Sequence, residues 1–289
     1  MNSRFSVETL PGAIDQLVLR DTTAGSEVRV APSRGALATR FFDGARELLF
    51  LDRESFLDLG KNVRGGVPVL FPSPGKLEGD AWSRGGQGGR LKQHGFARNA
   101  SWTQLRSGAA GRAEVTLGLE STPETLRDYP WPFAVELTFA LRERTLRLEI
   151  RVANRGAAPM PYGFGFHPYF LAPLGEKAQA RIDTRATRVW DNVARLERPL
   201  GALALGGPEV DLHLLDHQAT ASALHLPSGS IAVTGSEAFV RWVIWTLPGK
   251  EFICLEPWTC PGNALNTGLG LRTLAPGASD ELWLELAGA

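Results

Sequence analysis

Four short segments of the chain carry polar and aromatic side chains of types that are used for proton transfer and for binding polar small molecules. They are Arg64–Pro72, His94–Asn99, Tyr162–Phe170 and Glu256–Asn266. Within them stand a carboxylate, two histidines, two arginines and several aromatic rings. The question for each side chain is whether its position favours chemistry over packing.

Glu256 follows the apolar run Phe252–Leu255 and precedes Pro257. In a strand, alternation places Glu256 on the same face as Cys254, so we expect it at the strand's end, pointing inward or into a cleft. A carboxylate in such a place needs a partner or a function. Trp258, two residues on, offers an apolar ring of the kind that packs on the C–H face of a sugar. Taken alone, a structural glutamate at a sheet edge explains Glu256 equally well.

His167 lies among aromatic residues and precedes Pro168. Such surroundings disfavour the charged imidazolium and lower its pKa. A core histidine fits this position as well as a catalytic one, and the same holds for His94 beside Gly95. The other three histidines, His213, His217 and His225, fit surface or packing roles. No zinc-binding spacing occurs, so the sequence predicts no metal ion.

One segment departs from the pattern of the rest. Residues 61–98 hold nine glycines and seven Lys or Arg residues against Glu78 and Asp80. In a chain with 31 basic and 31 acidic residues, this is the clearest local excess of charge. A loop of this length is more often a binding loop than an idle connection, although a solvated surface loop is the alternative.

The composition limits the possible functions. The 289 residues are neutral overall, which gives no general attraction to nucleic acid or to anionic membranes. No stretch approaches the ~20 apolar residues of a membrane helix, and the first ten residues lack a signal-peptide core. Two cysteines, Cys254 and Cys260, do not form a disulfide framework. We therefore expect a cytoplasmic protein, monomeric or homodimeric, that binds a small molecule.

The remaining chain alternates with period two. Phe133–Leu141 and Leu146–Val152 predict an antiparallel hairpin with one buried and one solvated face, and 224–226 and 231–233 flank a predicted four-residue turn. Further strands are predicted at 113–121, 181–190, 239–247, 251–255 and 281–286. No segment has sustained helical spacing, and neither a linker nor a repeat is evident. The sequence predicts an all-β protein, a large antiparallel β-sandwich forming a single domain over residues 1–289.

Taken together and in this order, the segments resemble the aldose 1-epimerase (galactose mutarotase-like) superfamily. The similar stretches are RGGVPVLFP at 64–72, QHGFARNASW at 93–102, PMPYGFGFHPYF at 159–170, LDH at 215–217 and CLEPWTCPGNALNTG at 254–268. The resemblance covers the chain from about residue 10 to its end. The FHPYF block and the last two stretches are the specific ones.

The resemblance implies a galactose mutarotase-like supersandwich with an open carbohydrate-binding cleft. It implies that Glu256 removes the proton of the anomeric hydroxyl and that His167 protonates the ring oxygen, so that the ring opens and recloses as the other anomer. His94, Arg64 and Asp216 would bind the sugar. Burial would raise the pKa of Glu256 and lower that of His167, and we expect both to approach neutrality. Mutarotation passes through no high-energy carbanion or phosphoryl state, so no cofactor is expected.

Two other functions remain open. The first stretches also resemble glucose-6-phosphate 1-epimerases, and Arg64, Arg98 and the basic segment could hold a sugar phosphate. The block after Glu256 is closer to the free-aldose branch, which makes a free hexose the first hypothesis. A non-catalytic carbohydrate-binding or sensing protein is the second alternative, but such a protein is expected to lose Glu256 or His167.

Three departures from the family pattern affect the site. Ser73-Pro74-Gly75 replaces the aromatic-glycine turn that often follows the Phe-Pro step. The glycines at 85, 86, 88 and 89 predict a loose insertion beside the cleft. Residues 191–214 are hard to align, so Asp211 competes with Asp216 as the residue that binds sugar hydroxyls.

Overall fold

The computed structural model describes residues 3–289, and this part of the chain is predominantly β-structure. Its strands are β1 (Phe5–Leu10), β2 (Gln16–Asp21), β3 (Ser26–Ala31), β4 (Leu37–Phe42), β5 (Val69–Leu70), β6 (Ala81–Arg84), β7 (Gln87–Arg90), β8 (Thr103–Gly108), β9 (Ala113–Glu120), β10 (Phe133–Arg142), β11 (Thr145–Asn154), β12 (Met160–Tyr162), β13 (Gly165–Phe166), β14 (Tyr169–Leu171), β15 (Arg181–Ile182), β16 (Arg188–Asp191), β17 (Leu196–Pro199), β18 (Val210–Leu214), β19 (Ala221–Leu226), β20 (Gly229–Gly235), β21 (Arg241–Thr246), β22 (Phe252–Trp258), β23 (Arg272–Leu274) and β24 (Ser279–Gly288).

The helices are short. They are α1 (Arg53–Leu57), α2 (Pro123–Asp128), α3 (Leu174–Lys177) and α4 (Ala264–Thr267), with 3₁₀ turns at Pro32–Arg34, Glu78–Asp80 and Ala97–Asn99. Within residues 3–289, none of them has the length and apolar character of a membrane-crossing helix. The predicted all-β class is confirmed.

Two eight-stranded antiparallel sheets form most of the protein. One has the order β15-β19-β20-β24-β11-β10-β9-β8, and the other, which we call the floor sheet, has the order β17-β16-β18-β21-β22-β13-β5, with β14 also paired to β22. A four-stranded meander β1-β2-β3-β4 adds a third layer. The largest hydrophobic cluster contains side chains from all three sheets, among them Leu19, Leu137 and Leu255.

The predicted hairpin is confirmed as β10 and β11, which pair from Phe133 with Asn154 to Arg142 with Thr145. Its second face is less solvated than expected, because Ala134, Thr138 and Ala140 are also buried. These are small residues, and the long side chains of Glu149 and Arg147 lie opposite Thr138 and Ala140 in the register. Charged side chains can cover a sheet with their aliphatic stems in this way.

Several predicted boundaries were wrong. Residues 181–190 form two strands in different sheets, β15 and β16, rather than one. The turn between β19 and β20 is shorter than the predicted four residues, since β20 already begins at Gly229. The supposedly loose glycines belong to the β6–β7 hairpin, in which Gly85 and Gly86 both have positive φ. Two consecutive residues of positive φ make a tight hairpin turn, which glycine adopts without strain.

The meander β1–β4, which the sequence analysis did not predict, is fixed by a buried carboxylate to the eight-stranded sheet that contains β10 and β11. Asp21, at the end of β2, accepts hydrogen bonds from Arg4 Nε and Nη2 at 3.0 and 2.8 Å. It also accepts one from the backbone N–H of Glu143, in the turn between β10 and β11, at 2.9 Å. These bonds, led by the one from Arg4, hold the pKa of Asp21 at about 2.

We predict that Asp21→Asn destabilises the protein by about 1–3 kcal/mol, because the ionic hydrogen bonds are lost while the shape is kept. Since the folded-state pKa lies below the ordinary 3.8, the stabilisation is fully present above pH 3.8 and is lost as the pH falls toward 2. Denaturant unfolding across this range measures it, with the exposed Asp15→Asn as control. A difference between wild type and Asp21→Asn that does not narrow on acidification would contradict the assignment.

Candidate active site

A cavity of about 690 Å³ lies over one face of the floor sheet. The sheet supplies Trp258, Glu256, Val243 and His213 to its lining, and loops supply Arg64, Gly75, His94 and Asn263 from around it. All of the sequence-predicted site residues except Asp216 line this cavity. The structure thus brings six of the seven together.

The strand register explains why Glu256 and His167 meet. Gly165 of β13 pairs with Trp258, and Tyr169 of β14 pairs with Cys254 of the same strand, β22. His167 and Glu256 are the residues midway between these two pairs, and they therefore lie opposite each other. β22 does not end at Leu255, as the sequence suggested, but continues through Glu256 to Trp258.

Two prolines interrupt the ladder at this point. Pro168 and Pro257 have no N–H to donate, so the pairing between their strands lapses beside His167 and Glu256. The backbone N–H of His167 instead donates to Pro68 O at 3.1 Å, on the other side. His167 Nε2 lies 3.3 Å from Glu256 Oε1, and the ring stacks on Tyr169 at 4.7 Å between centroids. At that distance the two side chains can form a hydrogen bond only if one of the facing atoms, His167 Nε2 or Glu256 Oε1, carries a proton.

The other polar atom of each of these two side chains has no hydrogen-bond partner in the part of the chain that the structure describes. His167 Nδ1 and Glu256 Oε2 are buried without a hydrogen bond among residues 3–289. Buried polar atoms are nearly always satisfied in proteins, so each unsatisfied atom calls for an explanation. Because both side chains line the cavity, a bound polar molecule can supply a partner for the carboxylate oxygen.

Burial shifts the two pKa values in opposite directions. It raises the pKa of Glu256 well above 4.5, and the negative charge of Asp211 raises it further. The indole N–H of the neighbouring Trp258 and the positive charge of Arg98 oppose this shift. Burial and then the charge of Arg98 lower the pKa of His167 to about 3. Both directions agree with the sequence analysis, but the pKa of His167 moves away from neutrality. Burial also opposes the ionisation of Glu256, and the carboxyl group does not offset the lowering of the His167 pKa.

His94 is held in one tautomer. The backbone N–H of Gly75 donates to His94 Nδ1 at 3.1 Å. The backbone N–H of His94 donates to Gly75 O at 2.8 Å. Burial keeps the pKa of His94 well below 6.5, so the ring is neutral and its proton is on Nε2. His94 and Gly95 both have φ of +72°, and a Cβ at Gly95 would lie 2.2 Å from Phe71 O. The local turn thus requires glycine at position 95 and presents His94 as a donor.

The structure places Asp211 rather than Asp216 in the cavity. Asp216 lies outside it and accepts hydrogen bonds from the backbone N–H groups of Thr187 and Arg188 at 2.9 and 3.1 Å, which is a structural task. Asp211 is half-buried, and burial raises its pKa above 3.8. Asn192 Nδ2 donates to Asp211 Oδ2 at 2.7 Å, which leaves acceptor capacity on the carboxylate.

Several lining residues escaped the sequence analysis. They are Trp190, Asn192, Glu209, His213, Arg241 and Trp245. His213, which the sequence analysis assigned to the surface or to packing, lies edge-on to Trp258 at 5.3 Å, and burial followed by the charge of Arg241 lowers its pKa to about 4. The one available signal was the alternation of β18, which puts Asp211 and His213 on the same face.

Four cations line the cavity without a carboxylate within salt-bridge distance among residues 3–289: Arg64, Lys76, Arg98 and Arg241. Arg98 Nη2 donates only to Val63 O, at 3.4 Å, and Arg241 Nη1 donates to Leu214 O at 3.1 Å. Guanidinium groups free of carboxylates retain donors for an anionic or hydroxyl-rich ligand.

His167, Glu256 and the buried Cys254 could also share a metal ion, since a ligand atom of each lies within 4.8 Å of the others. In residues 3–289 this is the sole group of its kind. Cys254 does not line the cavity and its pKa is raised by burial, so the thiol is protonated at neutral pH. The absence of a metal requirement stays a prediction.

Comparison with known proteins gives a consistent result. Residues 44–287 match the family model described as aldose 1-epimerase. A protein of Cenchrus ciliaris named "Putative glucose-6-phosphate 1-epimerase" is 31% identical over 241 residues, which cover 74% of this chain and 69% of the relative. Protein LacX of Lactococcus lactis is 25% identical over 240 residues, covering 71% and 77% of the two chains.

Solved structures agree over the whole chain. The Slr1438 protein of Synechocystis sp. PCC 6803 has 33% identity and a TM-score of 0.92, with 97% of this chain and 98% of that chain covered. A galactose mutarotase-like protein of Clostridium acetobutylicum has a TM-score of 0.85 at 19% identity, with 100% and 99% covered. At that identity the likeness concerns the fold alone.

We predict that Glu256→Gln raises the free energy of unfolding at neutral pH by about 0.5–2 kcal/mol, because it removes a buried carboxylate that lacks a cationic partner. Since burial raises the pKa of Glu256, its contribution is favourable below 4.5 and is lost as the pH rises through the folded-state value. The gain from Glu256→Gln should therefore grow from pH 4.5 toward neutrality. Thermal unfolding measures it, with the exposed Glu251→Gln as control. A loss of stability would contradict the prediction.

Proposed function

The chain belongs to the aldose 1-epimerase family, which makes it a carbohydrate epimerase, and we propose that it interconverts the α and β anomers of a free hexose. The observation that carries this proposal is the 3.3 Å separation of His167 Nε2 and Glu256 Oε1 in the wall of the cavity. An acid and a base so close together can serve adjacent oxygens of one sugar, the anomeric hydroxyl and the ring oxygen.

The reaction proceeds by ring opening. Glu256, as carboxylate, takes the proton of the anomeric hydroxyl while His167, as imidazolium, gives a proton to the ring oxygen. The bond from C1 to the ring oxygen breaks and a carbonyl forms at C1. After rotation about the C1–C2 bond, the two transfers run in reverse and the ring closes on the other face of C1.

The protonation of the pair fits this cycle. The two side chains hold one proton between them before and after ring opening, and it moves from His167 to Glu256 as the ring opens. Burial favours the arrangement in which Glu256 is protonated and His167 is neutral, because neither then carries a charge. This is the state that accompanies the open-chain aldehyde. Binding of the closed sugar must supply hydrogen bonds that favour the charged arrangement.

The other residues take binding roles in this proposal. His94 Nε2–H donates to a sugar oxygen, and Asp211, rather than Asp216, accepts from sugar hydroxyls. Arg64 donates hydrogen bonds to the sugar from a loop opposite Glu256, and Arg98 also donates to the sugar. Trp258, edge-on to both His94 and His213, offers its face to the C–H groups of the ring.

We predict that Glu256→Gln and His167→Asn each lower kcat for anomer exchange by about 10²–10⁴-fold, because each removes one proton transfer, with a much smaller effect on binding. Exchange is measured by nuclear magnetic resonance on glucose and galactose, with spontaneous mutarotation subtracted. Asp211→Asn should mainly raise KM, because Asp211 binds the sugar without exchanging protons with it.

The controls use side chains of the same type outside the cavity. His225→Asn affects a histidine bonded to Asp183 and Ser230, and Asp216→Asn affects the aspartate that fixes the Thr187 backbone. Both should leave exchange unchanged. If Glu256→Gln exchanges anomers as fast as the wild type, the catalytic proposal fails and a carbohydrate-binding function takes its place.

The four cavity cations favour a second candidate, a hexose phosphate. Phosphate is well matched by guanidinium forks, and Arg64, Lys76, Arg98 and Arg241 have no competing carboxylate of residues 3–289 within salt-bridge distance. The relative from Cenchrus ciliaris bears the name of a glucose 6-phosphate epimerase. Against this, Glu209, Asp211 and Glu256 also line the cavity, and they would repel a phosphate placed beside them.

A comparison of substrates decides between the two. We expect glucose or galactose to be exchanged with a kcat/KM at least equal to that for glucose 6-phosphate, with weak inhibition by inorganic phosphate. A kcat/KM on glucose 6-phosphate higher by tenfold or more, lost in Arg241→Gln but not in Arg84→Gln outside the cavity, would establish the second candidate instead.

A further inference from the structure

The floor of the cavity extends well beyond the catalytic pair. Trp190 of β16 pairs with His213 of β18, His213 pairs with Val243 of β21, and Val243 pairs with Glu256 of β22. With His167 opposite Glu256, five residues form one straight row across the floor sheet. All five line the cavity.

The length of this row exceeds what one sugar ring can cover. Neighbouring strands lie about 4.8 Å apart, so Trp190 is about 14 Å from Glu256 across three strand spacings. A pyranose ring with its hydroxyls is shorter than two spacings. A ring with its anomeric carbon at Glu256 therefore reaches over Val243 toward His213 and leaves Trp190 uncovered.

Trp190 is an unusual side chain for its position. It is 39% exposed, although large aromatic residues tend to be buried. Asn192, two residues after Trp190, and Glu209, just before β18, are exposed polar residues that also line the cavity. Glu209 Oε1 accepts from Trp245 Nε1 at 3.2 Å, which leaves its other oxygen available to a ligand.

An exposed aromatic face with hydrogen-bonding groups at its edge matches the chemistry of a sugar ring. The C–H face of a pyranose is apolar and packs on indole, while its hydroxyls point outward to polar side chains. A cavity of about 690 Å³ is also in the range that holds ligands larger than one hexose.

We propose that Trp190 is the platform of a second sugar subsite, so that the preferred substrates are reducing disaccharides. The reducing ring occupies the catalytic pair, and the ring linked to it stacks on Trp190 with Asn192 and Glu209 binding its hydroxyls. This inference rests on the proposed function for the orientation of the reducing ring.

The test compares one ring with two. Affinities for glucose, maltose, cellobiose and lactose are measured by calorimetry, and anomer exchange is measured separately for each sugar. The wild type should bind at least one disaccharide more tightly than glucose. Trp190→Ala should reduce the ratio of disaccharide to glucose affinity by about 5- to 10-fold, and Trp190→Phe by less, because an aromatic face remains.

The control is Trp283→Ala, which removes a half-buried tryptophan on the other eight-stranded sheet, where Arg147 lies 4.4 Å from its ring. It should leave the ratio unchanged. The proposal is overturned if none of the three disaccharides binds more tightly than glucose, or if Trp190→Ala leaves the ratio unchanged. If disaccharides bind through Trp190 but no sugar exchanges anomers, the proposed function fails while the subsite stands.

Discussion

The register between β22 and the β13–β14 segment is the constraint on which the rest of the site depends. It sets His167 opposite Glu256, and the prolines that follow each of them remove the backbone hydrogen bonds that would otherwise hold the strands in a regular ladder. Between the Gly165–Trp258 and Tyr169–Cys254 pairs, what remains is a side-chain contact of 3.3 Å. A shift of one residue in either strand would turn one of these two side chains to the other face of the sheet. The proposed chemistry therefore requires a register that the rest of the sheet enforces.

The same contact is electrostatically unfavourable because both side chains are buried. Burial raises the pKa of Glu256 and lowers that of His167, and the charges of Asp211 and Arg98 respectively add to these two shifts. Such a site contains buried polar groups that lack hydrogen-bond partners, and a ligand can provide those partners. Part of the binding free energy then acts at the atoms next to the pair.

The sequence predicted the class of fold and the presence of Glu256 and His167 in one cleft. It could not predict the position of residues whose place depends on how strands pair within the sheet. Alternation predicted the β10–β11 hairpin and the inward direction of Glu256, because both depend on neighbours within one segment. It could not place Asp211 or His213, since their approach to Glu256 requires the pairing of β18 with β21 and of β21 with β22. Asp216 matched the family pattern in sequence, but it lies two residues past the end of β18, where it bonds to the backbone at Thr187 and Arg188.

The division of the cavity into a floor and a rim has a consequence for specificity. The floor is a sheet whose rows of side chains are fixed by backbone pairing, so the His167–Glu256 pair and Trp190 keep their spacing. The rim consists of loops that carry Arg64 and Lys76, and loops can change length without disturbing a sheet. Recognition of a charged substituent is thus separable from ring opening. In the proposed mechanism, the rim can therefore determine which sugar reaches His167 and Glu256.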